Sequence, residues 1–306
     1  MLTYNQADFV SDAIRSVLDQ DYPNIQLVIS DDASVDHTPE VIRYYYQQNP
    51  DVILPIYNKM TLGLTKNFNQ ALAKCKGKFV AFLDGDDILL PGKLTHQQKF
   101  MSENPQFAIS YHGIEVFSSS TGQKLYMWHD RYIGKNITAF DLVRYGPFLP
   151  YPAVMIRREC MPAELDENIP IGSDWLLWIE SLKNCNGQAG FLNLTLGRYR
   201  RHAGNVTKEW GWKIKDQLTT LAIVEKTWPD LAAASKKRKA EIYLLDTISK
   251  LGKGEYKKAF RAAGLMLKYA YPNFFILLRL PIRELIFFFK SNGRLDDLII
   301  SLFRGL

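Results

Sequence analysis

Between Ala7 and Pro91 the chain alternates short apolar runs with stretches of helical spacing, and this pattern restricts the fold more than any other feature of the sequence. In ADFVSDAIRSVLDQ, Phe9, Val10, Ala13, Ile14, Val17 and Leu18 recur at the spacing of one helix face. IQLVIS reads as a short strand that ends at DDAS. TPEVIRYYYQQ predicts a helix with Thr38 as N-cap, Pro39 at its first position and Glu40 in its first turn. Strand VILPIY, helix TKNFNQALAKCK closed by Gly77, and strand KFVAFLD follow. Strands separated by helices in this way predict an α/β fold, a mostly parallel sheet wrapped by helices. Ligands of such sheets bind beyond the carboxyl ends of the strands. Both acidic turns, Asp31 with Asp32 and Asp84 to Asp87, fall at those ends and can face one crevice.

The second turn, in FLDGDDILLP, sets an electrostatic problem. Two carboxylates about 4 Å apart repel by roughly 4 kcal/mol at an effective dielectric near 20. Asp84, Asp86 and Asp87 together therefore weaken the fold unless hydrogen-bond donors or a cation offset them. Either they are solvated turn chemistry or they hold a metal.

After Pro91 the alternation weakens. FAISYHGIEVFSS reads as a longer strand, TAFDLVRYG as a helix, AVMIRRE as a strand, SDWLLWIESLKNC as a helix starting at Ser173 or Asp174, and FLNLTLGRYRRH as a strand. From Lys213 the pattern is helical, and GKGEYKKAFRAAGLMLKYAYP resembles a single tetratricopeptide-like hairpin, too few units for a repeat array. The expected division is residues 1–212 and a helical C-terminal region, 213–306.

The net charge of +6 is unevenly placed: Ser235 to Leu306 carries +9 and the rest of the chain −3. Beside that charge lies YPNFFILLRLPIRELIFFFK, Tyr271 to Lys290, apolar but interrupted by Arg279, Pro281, Arg283 and Glu284. A spanning helix needs about 20 mostly apolar residues. The segment is expected either to lie in a membrane interface, where its cations meet anionic head groups, or to form a helical hairpin packed on the N-terminal part of the chain. Cys75, Cys160 and Cys185 are odd in number and lack metal-ligand spacing, the pattern of a reducing compartment; no secretory signal pattern is present.

Four segments in order, TYNQADFVSDAIRSVLDQDYPNIQLVISDDASVDHT, GLTKNFNQALAKCKGKFVAFLDGDDILLPGKL, SDWLLW and YRRHAGN, resemble an inverting family 2 glycosyltransferase with the GT-A, Rossmann-like fold of nucleotide-diphospho-sugar transferases. The resemblance covers roughly residues 1 to 210. It implies a nucleoside site at Thr3, Tyr4, Asp31 and Asp32, with Asp32 on uracil, Asp84 toward the ribose, and Lys66 near the nucleotide. A carboxylate can accept the uracil imide N–H, and an aromatic ring can stack on the base. The resemblance also implies a divalent metal, Mn²⁺ or Mg²⁺, at Asp86 and Asp87 with His202, and Asp174 as the general base. Arg200 and Arg201 could balance the diphosphate. Trp175 and Trp178, at helical spacing, are read as core more readily than as acceptor site. Ser173 stands where the family commonly carries Glu, and only Met1 and Leu2 precede Thr3 where the family has a fuller strand, so the first strand is expected to be clipped.

The implied activity moves a sugar, from a UDP-linked donor, to a hydroxyl of a lipid-linked or polysaccharide acceptor. The implied place is the cytoplasm, peripheral on the inner face of the cell membrane. A processive synthase would carry a Gln-x-x-Arg-Trp motif and spanning helices, and a sugar nucleotidyltransferase a Gly-rich phosphate loop; both patterns are missing. A catalytically silent scaffold of the same fold would not need Asp32, Asp84, Asp86, Asp87 and Asp174 together. Nucleic acid is disfavoured as a partner, because the basic residues are interleaved with aliphatic runs.

Overall fold

The computed structural model describes residues 1–128, 136–205 and 211–270. The Phe-rich segment 271–290 and the rest of the tail, expected at a membrane interface, lie outside the described residues. The chain forms two compact units: one of Met1–Leu142 with Pro147–Trp212, the other of Val143–Gly146 with the chain from Lys213.

The first unit opens with a parallel sheet of β1 (Leu2–Thr3), β2 (Leu27–Asp31) and β3 (Ile53–Tyr57), in that order. Leu2 also bridges in parallel to Asp84, just after β4 (Phe79–Ala81), and its N–H donates to Leu83 O at 3.3 Å. The second sheet is mixed. β4 pairs antiparallel with β8 (Met155–Arg157), β8 with β6 (Phe107–Ser118), and β6 parallel with β9 (Gln188–Arg201). β5 (Ile88–Leu89) closes one edge antiparallel to β9, and β7 (Lys124–Trp128) lies antiparallel to β6. The parallel part is the part whose strands alternate with helices in sequence.

The helices form where the apolar spacing is helical. α1 (Val10–Leu18) buries Val10, Ala13, Ile14 and Val17 against Leu27 and Ile29 of β2, Ile53 of β3 and Ile42 of α2 (Thr38–Gln48). Thr38 lies inside α2 rather than capping it: its hydroxyl accepts the Gln6 N–H at 2.8 Å, and Asp36 Oδ1 accepts the Thr38 N–H at 2.9 Å. α3 (Leu64–Leu72) stops before Gly77, which does not close it. α4 (Lys93–Glu103) packs on β6, α5 (Ala139–Tyr145) precedes β8, and α6 (Ser173–Asn184) follows it.

Between α4 and β6 lies a buried polar group of Lys93, Gln97, Ser110 and His112. Gln97 Nε2 donates to Ala153 O at 2.9 Å and to Ser110. His112 Nδ1 lies 2.8 Å from the Gly113 carbonyl, so Nδ1 carries the proton. Lys93 Nζ, His112 Nε2 and Gln97 Oε1 find no partner among the described residues. Burial pulls the Lys93 ammonium down to about 7, and burial followed by the Lys93 charge pulls His112 down to about 3.

Cys160 and Cys185 form a disulfide, which corrects the reading of all three cysteines as reduced thiols; Cys75 is free. The bond joins the turn after β8 to the end of α6, a meeting that a separation of 25 residues does not announce.

In the second unit, α7 (Gly211–Thr227), α8 (Ala232–Gly252) and α9 (Tyr256–Ala270) follow one another, and α8 and α9 form a hairpin. Arg144 pairs with Glu241 at 2.6 Å, and the fully buried Arg238 reaches Gln217 Oε1 at 2.9 Å. Among the described residues no helix is long and apolar enough to cross a membrane.

Candidate active site

The two-residue strand β1 holds both acidic turns. Leu2 O accepts the Gly85 N–H at 2.9 Å, and Thr3 O accepts the Asp32 N–H at 3.0 Å, so the two turns lie on either side of one backbone. Gly85 is required for that approach: a Cβ there would lie 2.6 Å from Thr3 Cγ2 and 2.5 Å from Gln6 Oε1.

In the first turn the carboxylates are held by short hydrogen bonds. Asp31 accepts from Thr3 Oγ1 at 2.9 Å, from Ser34 Oγ at 2.6 Å and from Ser34 N at 3.0 Å. Asp32 accepts from Leu62 N at 2.8 Å, Gly63 N at 2.9 Å and Asn58 Nδ2 at 3.1 Å. Gly63, at φ 87°, supplies a backbone turn that a side chain would strain. Asn58 is in turn held by Asn67 Oδ1 at 2.9 Å, and Asn67 by Ser30 on both sides of its amide. A carboxylate offers about four acceptor positions, so Asp32 keeps one for a ligand. Tyr4 is exposed beside this turn. Lys66 is exposed and pairs with Glu167 at 3.5 Å.

In the second turn, carboxylate oxygens of Asp84, Asp86 and Asp87 all lie within 4.8 Å of one another. Burial first, then the Asp86 charge, pushes Asp84 up to about 8; Asp174 adds to the push and the Met1 ammonium opposes it. Burial, then Asp86 and Asp84, holds Asp87 well above the usual carboxylate range. Asp87 Oδ1 accepts the Arg200 N–H at 2.9 Å, whereas Asp87 Oδ2 is buried with no hydrogen-bond partner among the described residues. Such a cluster is short of positive charge. An orphaned carboxylate oxygen beside two further carboxylates suits a hard divalent cation.

β9 and the turn after it supply the other wall. His202 Nε2 lies 2.8 Å from Asp86 Oδ2, and Asn205 Nδ2 lies 3.4 Å from the same oxygen. Asn205 Oδ1 accepts the His202 N–H at 2.7 Å, which fixes the turn. Arg200 is buried, donates from Nε to Asp86 O at 2.8 Å, pairs with Asp12 at 3.1 Å, and lies over the rings of Phe9 and Phe117. It clamps the acidic turn and is not an exposed cation awaiting a diphosphate. Arg201 lies over the Tyr199 ring.

Asp174 sits in the first turn of α6, with Oδ1 accepting the Trp175 N–H at 2.9 Å. Its charge adds to the upward push on Asp84, which follows β4. Ser173 is buried 2.9 Å from Thr65 Oγ1, and Thr65 donates to Ile169 O at 2.5 Å, so Ser173 is the donor of that pair and ties α6 to α3. Trp175 and Trp178 are buried core: Trp175 Nε1 donates to Leu142 O at 3.0 Å, and Trp178 meets the Phe82 ring edge-on at 5.0 Å.

Two residues of this site go unread in the sequence. Asn205 stands in the quoted YRRHAGN, yet its contact with Asp86 spans 119 residues. Tyr151 lies tilted against the Phe82 ring at 5.3 Å, and burial, then Asp84 and Asp174, pushes its hydroxyl well above the ordinary tyrosine range.

Comparison with known proteins bears on this geometry. The profile of Glycosyl transferase family 2 matches residues 1–160. The putative teichuronic acid biosynthesis glycosyltransferase TuaG of Bacillus subtilis is 29% identical over 74% of this chain and 89% of its own. WfaP of Escherichia coli, a UDP-Glc:α-D-GlcNAc-diphosphoundecaprenol β-1,3-glucosyltransferase, is 29% identical over 67% of this chain and 76% of its own. Uncharacterized mycobacterial relatives are 27% identical, and the chain spans 58% of their length. Among solved structures, Staphylococcus aureus TarS 1–349 in complex with UDP-GlcNAc superposes with a TM-score of 0.66 at 17% identity, over 99% of this chain and 88% of that one. A Pyrobaculum calidifontis mannosyltransferase in complex with GDP-Man and Mn²⁺ gives 0.58 at 15% identity, over 98% and 84%. At such identities the structural likeness is one of fold.

Proposed function

From the chain's membership of glycosyl transferase family 2, we propose that it moves a hexosyl or N-acetylhexosaminyl group from a UDP-linked donor to a hydroxyl of a lipid-linked or polysaccharide acceptor, with inversion, in cell-surface glycan synthesis. The observation that carries this reading is the cluster of Asp84, Asp86 and Asp87, with His202 Nε2 2.8 Å from Asp86. The acceptor and donor classes are those named for WfaP, and TuaG is named for teichuronic acid biosynthesis.

Each residue then has a role set by its surroundings. Asp32 keeps one acceptor position, which takes the uracil imide N–H, and the exposed Tyr4 ring lies against the base. Thr3 and Asp31 brace that wall. Asp84, half-buried and poised to share a proton, receives a ribose hydroxyl. Lys66, on its exposed arm, leaves Glu167 for the nucleotide. Asp86 and Asp87 would hold Mn²⁺ or Mg²⁺, and His202 would join them through Nε2 once its ring proton moves to Nδ1 and the Gly204 bond opens; the ion would supply Lewis-acid stabilisation of the departing diphosphate. Asp174 takes the proton of the acceptor hydroxyl as its oxygen attacks the anomeric carbon. The bond to the diphosphate oxygen breaks on the opposite face, so the configuration inverts.

Such an enzyme would work in the cytoplasm, at the inner face of the membrane, where its nucleotide substrate is made.

The test is calorimetry of UDP binding with and without Mn²⁺. In Asp86→Ala the metal-dependent part of the affinity should vanish together with transfer. Unchanged metal-dependent affinity would remove Asp86 from the site.

A further inference from the structure

α9 carries two parallel rows that the fold leaves exposed. Its inner face is Ala259, Ala262 and Ala270, buried, with Tyr269 stacked on Tyr243 of α8 at 5.7 Å. Tyr256, Phe260 and Leu267 are 71%, 82% and 42% exposed. At 3.6 residues per turn they fall within about 40° of one another around the helix. Each is followed by a cation, Lys257, Arg261 and Lys268, which makes a basic row about 100° further round. α9 contains no Asp or Glu, and Glu255, just before it, is paired with Lys258 at 2.9 Å.

Large apolar side chains at 71% and 82% exposure, aligned in one row, are unfavourable in water unless something covers them. Charge decides among the candidates. A second copy of α9 would bring like charges together. The sequence from Tyr271 to Leu306 carries five cations against three acids, so it does not neutralise the basic row either. An anionic lipid surface answers both rows at once: its head groups attract the cations, and its acyl boundary receives Tyr, Phe and Leu.

We infer that α9 docks the protein on an anionic bilayer, with Tyr256, Phe260 and Leu267 entering the interface and Lys257, Arg261 and Lys268 lying on the phosphates. The inference rests on the lipid-linked acceptor reading for its purpose, while its observations are those of α9 alone.

The test uses the full chain with vesicles of phosphatidylglycerol and phosphatidylcholine, or of phosphatidylcholine alone, at low salt. The protein should sediment with the mixed vesicles and not with the neutral ones. Lys257→Gln, Arg261→Gln and Lys268→Gln together should weaken partitioning about 10²-fold, at roughly a fivefold loss per cation. Tyr256→Ser with Phe260→Ser, at exposed positions the fold does not use, should weaken it at least tenfold. Wild-type protein that stays in solution, or variants that sediment as wild type does, would overturn the assignment. UDP titration of the same samples separates the two readings. Absent UDP binding with vesicle binding intact would sink the transferase reading and leave this one standing; the reverse would sink only the docking surface.

Discussion

His202 Nε2 lies 2.8 Å from Asp86 Oδ2, and the Gly204 N–H donates to the ring's other nitrogen at 3.2 Å. That second bond assigns the proton of the neutral ring to Nε2, the atom facing the carboxylate. His202 thus spans from the end of β9 to the acidic turn after β4, across 116 residues.

Replacing it should therefore weaken metal-supported nucleotide binding without harming the fold. His202→Asn should lower Mn²⁺-supported UDP affinity by ~10–100-fold, the range seen for groups that support a metal site. The ring also lies tilted against Phe9, 4.7 Å away, a contact that Asn gives up. Calorimetry checks the affinity and a thermal melt checks the fold. Wild-type affinity in the variant would leave His202 as a packing residue.

Asp174→Asn separates chemistry from binding. The base acts on the acceptor, so donor affinity should stay near wild type while turnover falls about 10²-fold or more. Asn can still accept the Trp175 N–H at the start of α6, so the helix should survive. Pre-steady-state turnover with the best acceptor is the measurement. Full activity would move the base elsewhere, with Asp87 the next candidate.

Lys93 gives a prediction about stability and pH. Its folded pKa, about 7, lies below the ordinary lysine value. Between the two values the unfolded chain holds a proton that the folded chain has lost, so stability rises with pH from about 7 toward 10.5. Below 7 both states are protonated and the full penalty of the buried ammonium applies. Lys93→Met should thus stabilise the protein most at pH 6, by about 1–3 kcal/mol, and flatten the rise above pH 7. His112 acts at the acid end in both proteins: its folded value of about 3 lies below the model-peptide 6.5, so stability falls as pH drops from 6.5 toward 3. Urea unfolding of both proteins from pH 6 to pH 10 shows whether the two curves converge as stated; parallel curves would mean Lys93 is not desolvated.

The part of the molecule that could be read from sequence is the part stabilised by local periodicity. Val10, Ala13, Ile14 and Val17 announce α1, and the apolar runs before Asp31 and Asp84 announce β2 and β4. Long-range hydrogen bonds carry no such signal. Arg200 has the composition of a diphosphate ligand, yet it is consumed by Asp12, 188 residues away, and by the Asp86 carbonyl. Thr38 has the chemistry of an N-cap, but its hydroxyl takes the Gln6 N–H, its own N–H goes to Asp36, and the helix starts after His37 without a side-chain cap. Tyr151 belongs to the crevice only because β8 pairs with β4 and sets its ring against Phe82. Asp86 and His202 come together because β5 lies against β9.

Inverting transfer from a nucleotide sugar is tested most directly by the anomeric configuration of the product. A panel of nucleotide sugars with lipid extracts as acceptors, followed by mass spectrometry, identifies the reacting pair, and proton NMR then gives the anomeric coupling constant. A single in-line displacement assisted by Asp174 predicts the configuration opposite to the donor's. A product that retains the donor's configuration would contradict it.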